Sequence, residues 1–283
     1  MEKTGLILEG GGFRGIYTSG VLDYFMEHDL YIPQVYGVSA GACNALGYAA
    51  KQPGRSAKMN FDFCDDKRYM SYSNMLKVHG LFNMQFIFEE IPMKLLPFDY
   101  RTFFESEIQI HVGVTNLLTG KCQFYTKDQM DWRMFPVRAS SALPLVSHIY
   151  YLKHNTPSLD GGVSNPIPIR ESINSGNSKN IIVLTQDPTY EKKVSAQLGL
   201  VRRIYKDYPN FVDTVAHRHV IYNRQRKVCR LLEKTGQAIV IQPQDPVRIR
   251  NIKADRESLQ ELYAIGYEDA RRNFDRIRAF IEK

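Results

Sequence analysis

Residues 37–41 read GVSAG and fit the pattern G-x-S-x-G, which places Ser39 between two glycines. In this pattern the serine occupies a sharp strand-to-helix turn that exposes its hydroxyl, and small neighbours such as Gly37 and Gly41 leave room for the turn. A serine held in this way acts as a nucleophile towards an acyl carbonyl when a base accepts its proton. The pattern therefore indicates a nucleophile elbow at Ser39.

A second glycine-rich stretch, GGGFRG at residues 10–15, fits the pattern G-x-G-x-x-G. A dinucleotide site of this type requires an acidic residue about 20 positions further on, at the end of the second strand. That strand here ends in the GVSAG turn, and the nearest acids, Glu27 and Asp29, lie at the end of the intervening helix. The other use of such a loop is to direct backbone N–H groups at an oxyanion, and the nearby Ser39 favours it.

The base that would serve Ser39 is not evident from the histidines. A Ser-His-Asp triad on an α/β-hydrolase sheet is the first alternative, but that fold forms several strands before its nucleophile, whereas Ser39 follows the second strand. The later histidines have no companion motif: His79, His111, His148, His154, His217 and His219. The remaining candidate is Asp160 in the sequence LDGG at residues 159–162, although a lone D-G-G is also typical of a turn.

Three motifs in this order, GGGFRG, GVSAG and LDGG, resemble those of the patatin-like phospholipase family, in its bacterial-type single-domain form. The resemblance extends to ASSALP at residues 139–144 and to NPIP at residues 165–168. It is dense over residues 4–51 and 107–186, thinner in the C-terminal third, and poor in residues 68–100.

The resemblance implies a serine acyl hydrolase with a Ser-Asp dyad, on a fold similar to the catalytic domain of cytosolic phospholipases. Ser39 corresponds to the nucleophile and Asp160 to the base of that dyad. The loop of Gly11, Gly12 and Arg14 corresponds to the oxyanion hole, with backbone N–H groups as donors. The resemblance implies no cofactor and no metal, and the sequence offers no ligand cluster for calcium.

Two consecutive strand-turn-helix units must position these motifs. Residues 4–9 and 34–38 are short apolar runs, and helical patterns follow each glycine-rich turn, which argues for a parallel sheet. Residues 108–116 and 121–126 predict a hairpin around Thr119-Gly120. Further strands are expected at residues 180–185 and 237–241, and helices at residues 194–208, 211–234 and 257–283. This order predicts an α/β fold with three layers, α/β/α, around a mainly parallel central sheet.

Residues 68–100 differ from the rest because they combine aromatic residues with four of the nine methionines. Flexible thioethers and aromatic rings suit an adaptable apolar pocket or lid that accepts acyl chains. Ordinary core packing of two helices accounts for the same pattern. Both interpretations stay open at this point.

The composition is that of a folded protein, with 283 residues, 43% hydrophobic and 24% charged, and a formal charge of +7. Residues 200–234 hold nine basic against three acidic residues, which is typical of a solvated helix face and also of attraction to anionic lipid headgroups. Nucleic-acid binding is not expected, because no reading module is recognisable. Four scattered cysteines predict reduced structural thiols.

No apolar run approaches the roughly 18 residues that span a bilayer, and the apolar stretch in the first residues is too short for a signal peptide. We therefore predict a cytoplasmic protein with transient contact at the inner face of the membrane. One domain is expected over residues 1–283, with the motifs in 4–186 and a helical portion from about 190 to 283.

The predicted function is hydrolysis of lipid carboxylic esters, of the phospholipase A or lysophospholipase type. Two alternatives stay open, a regulatory or adaptor module on the same fold and a soluble esterase for small esters. The oligomeric state is not predicted.

Overall fold

An eight-stranded mixed sheet forms the centre of the computed structural model, which describes residues 3–249 and 254–282. The strands are β1 (Thr4–Leu8), β2 (Gln34–Gly37), β3 (Gln109–Asn116), β4 (Cys122–Thr126), β5 (Tyr150–Leu152), β6 (Thr156–Asp160), β7 (Lys179–Val183) and β8 (Ala238–Ile241). Hydrogen-bonded neighbours follow the order β5-β6-β3-β2-β1-β7-β8, and β4 pairs with β3. The five strands from β3 to β8 in this order are parallel, whereas the pairs β3–β4, β3–β6 and β5–β6 are antiparallel.

Helices cover both faces of the sheet. Within the described ranges the α-helices are α1 (Ile16–Glu27), α2 (Ala40–Ala49), α3 (Arg55–Phe63), α4 (Asn74–Lys77), α5 (Tyr100–Glu105), α6 (Phe135–Ser140), α7 (Ile169–Asn174), α8 (Leu198–Ile204), α9 (Pro209–Lys234) and α10 (Arg256–Glu282). Short 3-10 turns occupy Gly12–Gly15, Lys127–Gln129, Lys153–Asn155 and Gly161–Val163, and Phe86–Leu95 is a π-helix that contains Pro92.

Alternate residues of the inner strands enter two separate cores. Leu6 and Leu8 of β1 lie in a large cluster with residues of α1, α2 and α10, whereas Ile7 lies in a second cluster with Tyr222 and Cys229 of α9. Successive side chains of a strand point to opposite faces, and strands covered on both faces are continuously apolar. The predicted three-layer α/β/α fold with a mainly parallel sheet is therefore confirmed.

The helices α1 and α10 pack backbone against backbone. A Cβ atom on Gly20 would lie 2.2 Å from the carbonyl oxygen of Tyr263, and one on Gly266 would lie 2.1 Å from that of Tyr17. Two hydrogen bonds across this contact involve buried carboxylates, from the Tyr17 hydroxyl to Asp269 at 2.8 Å and from the Tyr263 hydroxyl to Asp23 at 2.9 Å. The two glycines thus bring α10 within hydrogen-bonding reach of the helix that follows the glycine loop.

The predicted elements agree with the observed ones at most positions. The two strand-turn-helix units, the hairpin β3–β4, and the strands β7 and β8 are confirmed within one or two residues. Helix α8 is shorter than the predicted helix over 194–208, because residues 184–197 form an irregular connection. The strands β5 and β6 were not predicted. They are short, and Pro157 interrupts the apolar pattern of β6.

Candidate active site

Ser39 and Asp160 meet because two strands end against one edge of β3. Strand β2 runs parallel to β3 and ends with Gly37 opposite Val112, while β6 runs antiparallel and ends with Asp160 opposite Val114. Strand β4 pairs with residues 111–115 of β3 and so takes the opposite edge. The C-terminal ends of β2 and β6 therefore face each other across Gly113.

The side chains of Ser39 and Asp160 are hydrogen-bonded. The Ser39 hydroxyl donates to Oδ2 of Asp160 at 2.9 Å, and the two residues are 8% and 2% exposed. The other carboxylate oxygen of Asp160 accepts the N–H of Gly162 at 2.6 Å. Burial raises the pKa of Asp160, whereas the nearby Arg218, the Gly162 N–H and the Ser39 hydroxyl all oppose that rise. The geometry is that of a nucleophile with a partly desolvated base.

Ser39 occupies a strained backbone conformation at the start of α2. Its φ of 53° and ψ of −125° lie where residues with a side chain are rarely found, at a cost of about 1–3 kcal/mol. The flanking glycines permit this turn. A Cβ on Gly37 would lie 2.8 Å from the backbone nitrogen of Ala42, and one on Gly41 would lie 2.3 Å from the carbonyl oxygen of Leu8. Larger residues at either position would force the turn apart.

A second serine, Ser140 at the end of α6, joins the turn to β3, and it was not among the predicted site residues. The Ser140 hydroxyl accepts the N–H of Ser39 at 2.8 Å and donates to the carbonyl oxygen of Gly113 at 2.6 Å. Ser140 is fully buried. Ser140 lies in residues 139–144, which are part of the family resemblance, and this motif was the one sequence feature that pointed to it. Its hydrogen bonds to Ser39 and Gly113 became evident from the tertiary structure.

The glycine loop lies directly against this turn. A Cβ on Gly10 would lie 3.2 Å from the Cβ of Ser39, and one on Gly15 would lie 2.6 Å from that of Ala40. In the described structure the N–H groups of Gly11 and Gly12 donate no hydrogen bond, as expected at the first turn of a helix. These two donors are free to receive an oxyanion.

Arg14 differs from the other two residues of the expected oxyanion hole. Its backbone N–H donates to the carbonyl oxygen of Gly11 at 3.2 Å and closes the 3-10 turn. This donor is therefore engaged within the turn, and the expected contribution of Arg14 to an oxyanion hole stays a prediction. Its side chain lines the same pocket as Ser39, and the guanidinium Nε is buried with no hydrogen-bond partner among the described residues.

Asn44 of α2 joins the glycine loop to the elbow helix. Its amide nitrogen donates to the carbonyl oxygen of Gly15 at 2.8 Å, and its amide oxygen accepts the Ser19 hydroxyl at 2.8 Å. All three residues are buried. These bonds hold the loop in register with the turn that carries Ser39.

Arg218 of α9 reaches the site from the C-terminal part of the chain. Its Nε donates to the carbonyl oxygen of Gly162 at 2.7 Å, and its charge lowers the pKa of Asp160. In the sequence it was one basic residue among nine in residues 200–234. Seven of these are exposed, whereas Arg218 is partly buried and Arg226 is buried, so the basic stretch is a surface face with two inward exceptions. Helical periodicity alone did not distinguish them.

The pocket beside Ser39 has an apolar part. The residues 68–100 contribute much of it, and they also pack on the main core, so both interpretations of that segment describe part of what is observed. The apolar side chains that line this part include Met59, Tyr69, Phe82, Met84, Ile87, Phe88, Phe98, Tyr100 and Leu143. Ile87 and Phe88 lie on the π-helix, a distortion often found at functional sites.

Other candidate chemistry is absent from the pocket. Among the described residues that line it there is no histidine, and the described ranges contain no group of three acidic, histidine or cysteine side chains placed to hold a metal. Cys43 also lines the pocket, but burial raises the pKa of its thiol to about 11, which keeps it protonated near neutral pH. Ser39, whose hydroxyl is hydrogen-bonded to a buried carboxylate, is therefore the candidate nucleophile of this pocket.

Comparison with known proteins gives two matches to family profiles. The patatin-like phospholipase family matches residues 6–173, and a domain of unknown function (DUF6363) matches residues 208–282. The uncharacterized protein YjjU of Escherichia coli (strain K12) is 25% identical over 281 residues, which cover 93% of this chain and 75% of YjjU.

A solved structure, that of VipD from Legionella pneumophila, has a similar fold. It superposes with a TM-score of 0.50 at 13% sequence identity, over 97% of this chain and 67% of VipD. At this identity the likeness concerns the fold alone. The family profile spans both the glycine loop and the Ser39–Asp160 pair and more than half of the chain, and the chain therefore belongs to the patatin-like phospholipase family.

Proposed function

We propose that this protein is a serine acyl hydrolase that cleaves carboxylic ester bonds of lipids, of the phospholipase A or lysophospholipase type. The observation that carries the proposal is the buried hydrogen bond of 2.9 Å from the Ser39 hydroxyl to Asp160, beside a glycine loop with two free N–H donors. Membership of the family supports the same class of reaction.

The proposed reaction proceeds in two steps. Ser39 Oγ attacks the ester carbonyl while its proton passes to Asp160, and the N–H groups of Gly11 and Gly12 receive the negative charge that develops on oxygen. Asp160 then gives the proton to the departing alcohol, which leaves an acyl group on Ser39. In the second step Asp160 accepts a proton from water, the resulting hydroxide attacks the acyl carbonyl, and the fatty acid is released as Ser39 regains its proton.

The test is release of fatty acid from long-chain phospholipids, lysophospholipids and short nitrophenyl esters in calcium-free buffer. We expect Ser39→Ala and Asp160→Asn each to lower the rate by about 10³-fold or more, because each removes one member of the dyad. Ser195→Ala and Asp207→Asn, at exposed positions outside the pocket, serve as matched controls. A folded Ser39→Ala protein that retains full activity would rule out this serine as the nucleophile.

The same substrates distinguish the lipid hydrolase from a general esterase. An apolar lining of this extent gains roughly 0.8 kcal/mol for each buried CH₂ of an acyl chain, so kcat/KM should rise with chain length. A flat dependence on chain length would favour the esterase for small esters. A folded protein with no turnover, and no labelling by a fluorophosphonate that reacts with activated serines, would favour the regulatory or adaptor module.

We also propose transient contact with anionic membrane surfaces. Arg202, Arg203 and Lys206 are exposed on and just after α8, where Leu200 and Ile204 are 49% and 54% exposed. Basic residues beside exposed apolar side chains suit a surface that touches lipid headgroups and the outer acyl region. No helix in residues 3–249 or 254–282 has the length and apolar character to cross a bilayer.

A further inference from the structure

The polar end of the pocket carries more positive than negative charge. Arg14, Lys192 and Arg218 line it, together with the carboxyl groups of Glu9 and Asp160. The charge of Asp160 acts on Arg218, and the charge of Glu9 acts on Lys192. Among the described pocket residues at this end, three positively charged side chains therefore face two carboxyl groups, and one positive charge is left without an acidic counterpart. A fourth cation, Arg55, lies among the apolar lining, where its guanidinium donates to the carbonyl oxygens of Leu96 and Pro97.

Lys192 is held in place through its backbone, which leaves its ammonium group available. Its N–H donates to the side-chain oxygen of Asn223 at 2.9 Å, and its carbonyl oxygen accepts the Asn223 amide at 3.0 Å. Its Nζ lies 5.4 Å from the centre of the Tyr222 ring and forms no hydrogen bond or ion pair within the described ranges. Burial, followed by Arg218 and Arg14, lowers the pKa of Lys192 to about 8, while Glu9 opposes this shift.

Helix α9 fixes the loop that presents Lys192. Arg226 donates to the carbonyl oxygens of Asp187 and Tyr190 at 2.6 and 3.0 Å, and Arg230 donates to that of Pro188. Arg226 is buried, so these bonds are shielded from water. The irregular connection after β7 is thus a braced support and not a free loop end.

We propose that Lys192 and Arg218 form a subsite for the phosphate group of a lipid ester, at the polar end of the pocket beside Ser39. The inference rests on the proposed function in taking the ligand to be the lipid substrate. A phosphate supplies the missing negative charge, and guanidinium and ammonium groups are its usual partners in proteins. The apolar lining on the other part of the pocket receives the acyl chain, so one lipid molecule would satisfy both ends.

The first test compares hydrolysis of two esters with the same acyl chain. The esters are 1-oleoyl-lysophosphatidylglycerol, which carries one fixed negative charge, and 1-monooleoylglycerol, which carries none. We expect Lys192→Gln to lower the ratio of their kcat/KM values on the order of tenfold, since a charge-assisted hydrogen bond is lost. Lys192→Arg should restore the ratio. Lys193→Gln, at an exposed neighbouring position outside the pocket, is the matched control.

The second test measures binding without turnover. Ser39→Ala protein is titrated calorimetrically with each lipid and with inorganic phosphate, below the critical micelle concentration of the lipids. We expect tighter binding of lysophosphatidylglycerol than of monooleoylglycerol, a preference that Lys192→Gln removes and that weakens as the pH rises through about 8. Inorganic phosphate that binds as tightly as the lipid would show that free phosphate is the ligand, which overturns the lipid assignment.

The two proposals fail in different ways. Ester hydrolysis with no preference for the charged lipid, or a preference that survives Lys192→Gln, overturns the phosphate subsite and leaves the acyl hydrolase intact. A binding preference that depends on Lys192, in a native protein that hydrolyses no ester, overturns the proposed function and leaves the subsite.

Discussion

At the scale of single residues, the surroundings of Asp160 determine whether a carboxylate can serve as the base. An aspartate in water has a pKa of about 3.9 and accepts a serine proton poorly. Burial raises the pKa of Asp160, while Arg218 and two hydrogen bonds limit the rise and keep the charged form accessible. Burial raises the pKa values of the neighbouring thiols of Cys43 and Cys122 to about 11 and 12, so both thiols stay protonated near neutral pH.

This arrangement predicts an acid limb in the pH dependence of kcat/KM. The proposed mechanism requires ionised Asp160, so we expect activity to fall as the pH drops through the Asp160 pKa, at a higher pH than for an ordinary aspartate. Arg218→Gln removes a charge that lowers this pKa, and we expect it to shift the limb to higher pH. The neutral ester monooleoylglycerol is the substrate for this profile, because it does not engage the phosphate subsite.

The control for the pH profile is Arg224→Gln, which removes an exposed charge from the same helix. We expect its limb to coincide with that of the native protein. A limb that shifts downwards in Arg218→Gln, or that does not move, would contradict the electrostatic role of Arg218.

At the scale of elements, close backbone contacts position the site. The elbow, the glycine loop and the helix pair α1–α10 each depend on glycines where a Cβ would meet backbone or side-chain atoms at 2.8 Å or less. Helix α1 begins directly after the glycine loop, and α10 packs along it. The contact of α1 with α10 thus supports the loop from behind.

We expect Gly266→Ala to lower the free energy of unfolding by about 1–3 kcal/mol, because the added methyl group would lie 2.1 Å from the Tyr17 carbonyl oxygen and must push the helices apart. Denaturant titration measures the change. Gly199→Ala in α8, where nothing lies within 4 Å, is the control and should be neutral or stabilising by up to about 1 kcal/mol. Equal effects of the two substitutions would show that the α1–α10 contact is not tight.

At the scale of the whole molecule, the candidate site combines residues from both matched parts of the chain. Ser39, Asp160 and the glycine loop lie in residues 6–173, whereas Arg218 and the helix that braces Lys192 lie in residues 208–282. The region matched as a domain of unknown function therefore contacts the candidate site directly. One domain over residues 1–283 stays a prediction, which these contacts favour.

The proposed contact with membranes also involves the surface of the whole molecule, through the exposed side chains of Arg202, Arg203 and Lys206. We expect the triple substitution of Arg202, Arg203 and Lys206 by Gln to weaken binding to phosphatidylglycerol vesicles by up to about 100-fold, at roughly 1 kcal/mol per basic residue. Sedimentation with vesicles at two salt concentrations measures this change in affinity. Substitution of Arg271, Arg272 and Arg278 of α10 removes the same charge elsewhere, and an equal loss there would show that net charge alone drives binding.

The sequence by itself determined the parts of this protein that local chemistry controls. Strand-turn-helix order, the Ser39 elbow and the glycine loop are each encoded within a few neighbouring residues, because apolar periodicity and glycine spacing are local properties. Asp160 was identified through the family motif. Its strand was not predicted, because Pro157 and the glycines after Asp160 interrupt the alternation of apolar residues.

Only the tertiary structure decided how distant residues meet. The registers of β2 and β6 on β3 bring Ser39 to Asp160. The packing of α9 directs Arg218 and Arg226 inwards, while its other arginine and lysine residues are exposed. Lys192 lies in an irregular connection that carries no periodic signal, and bonds from α9 place it at the pocket. Such contacts depend on packing between elements far apart in the chain, and no local pattern specifies them.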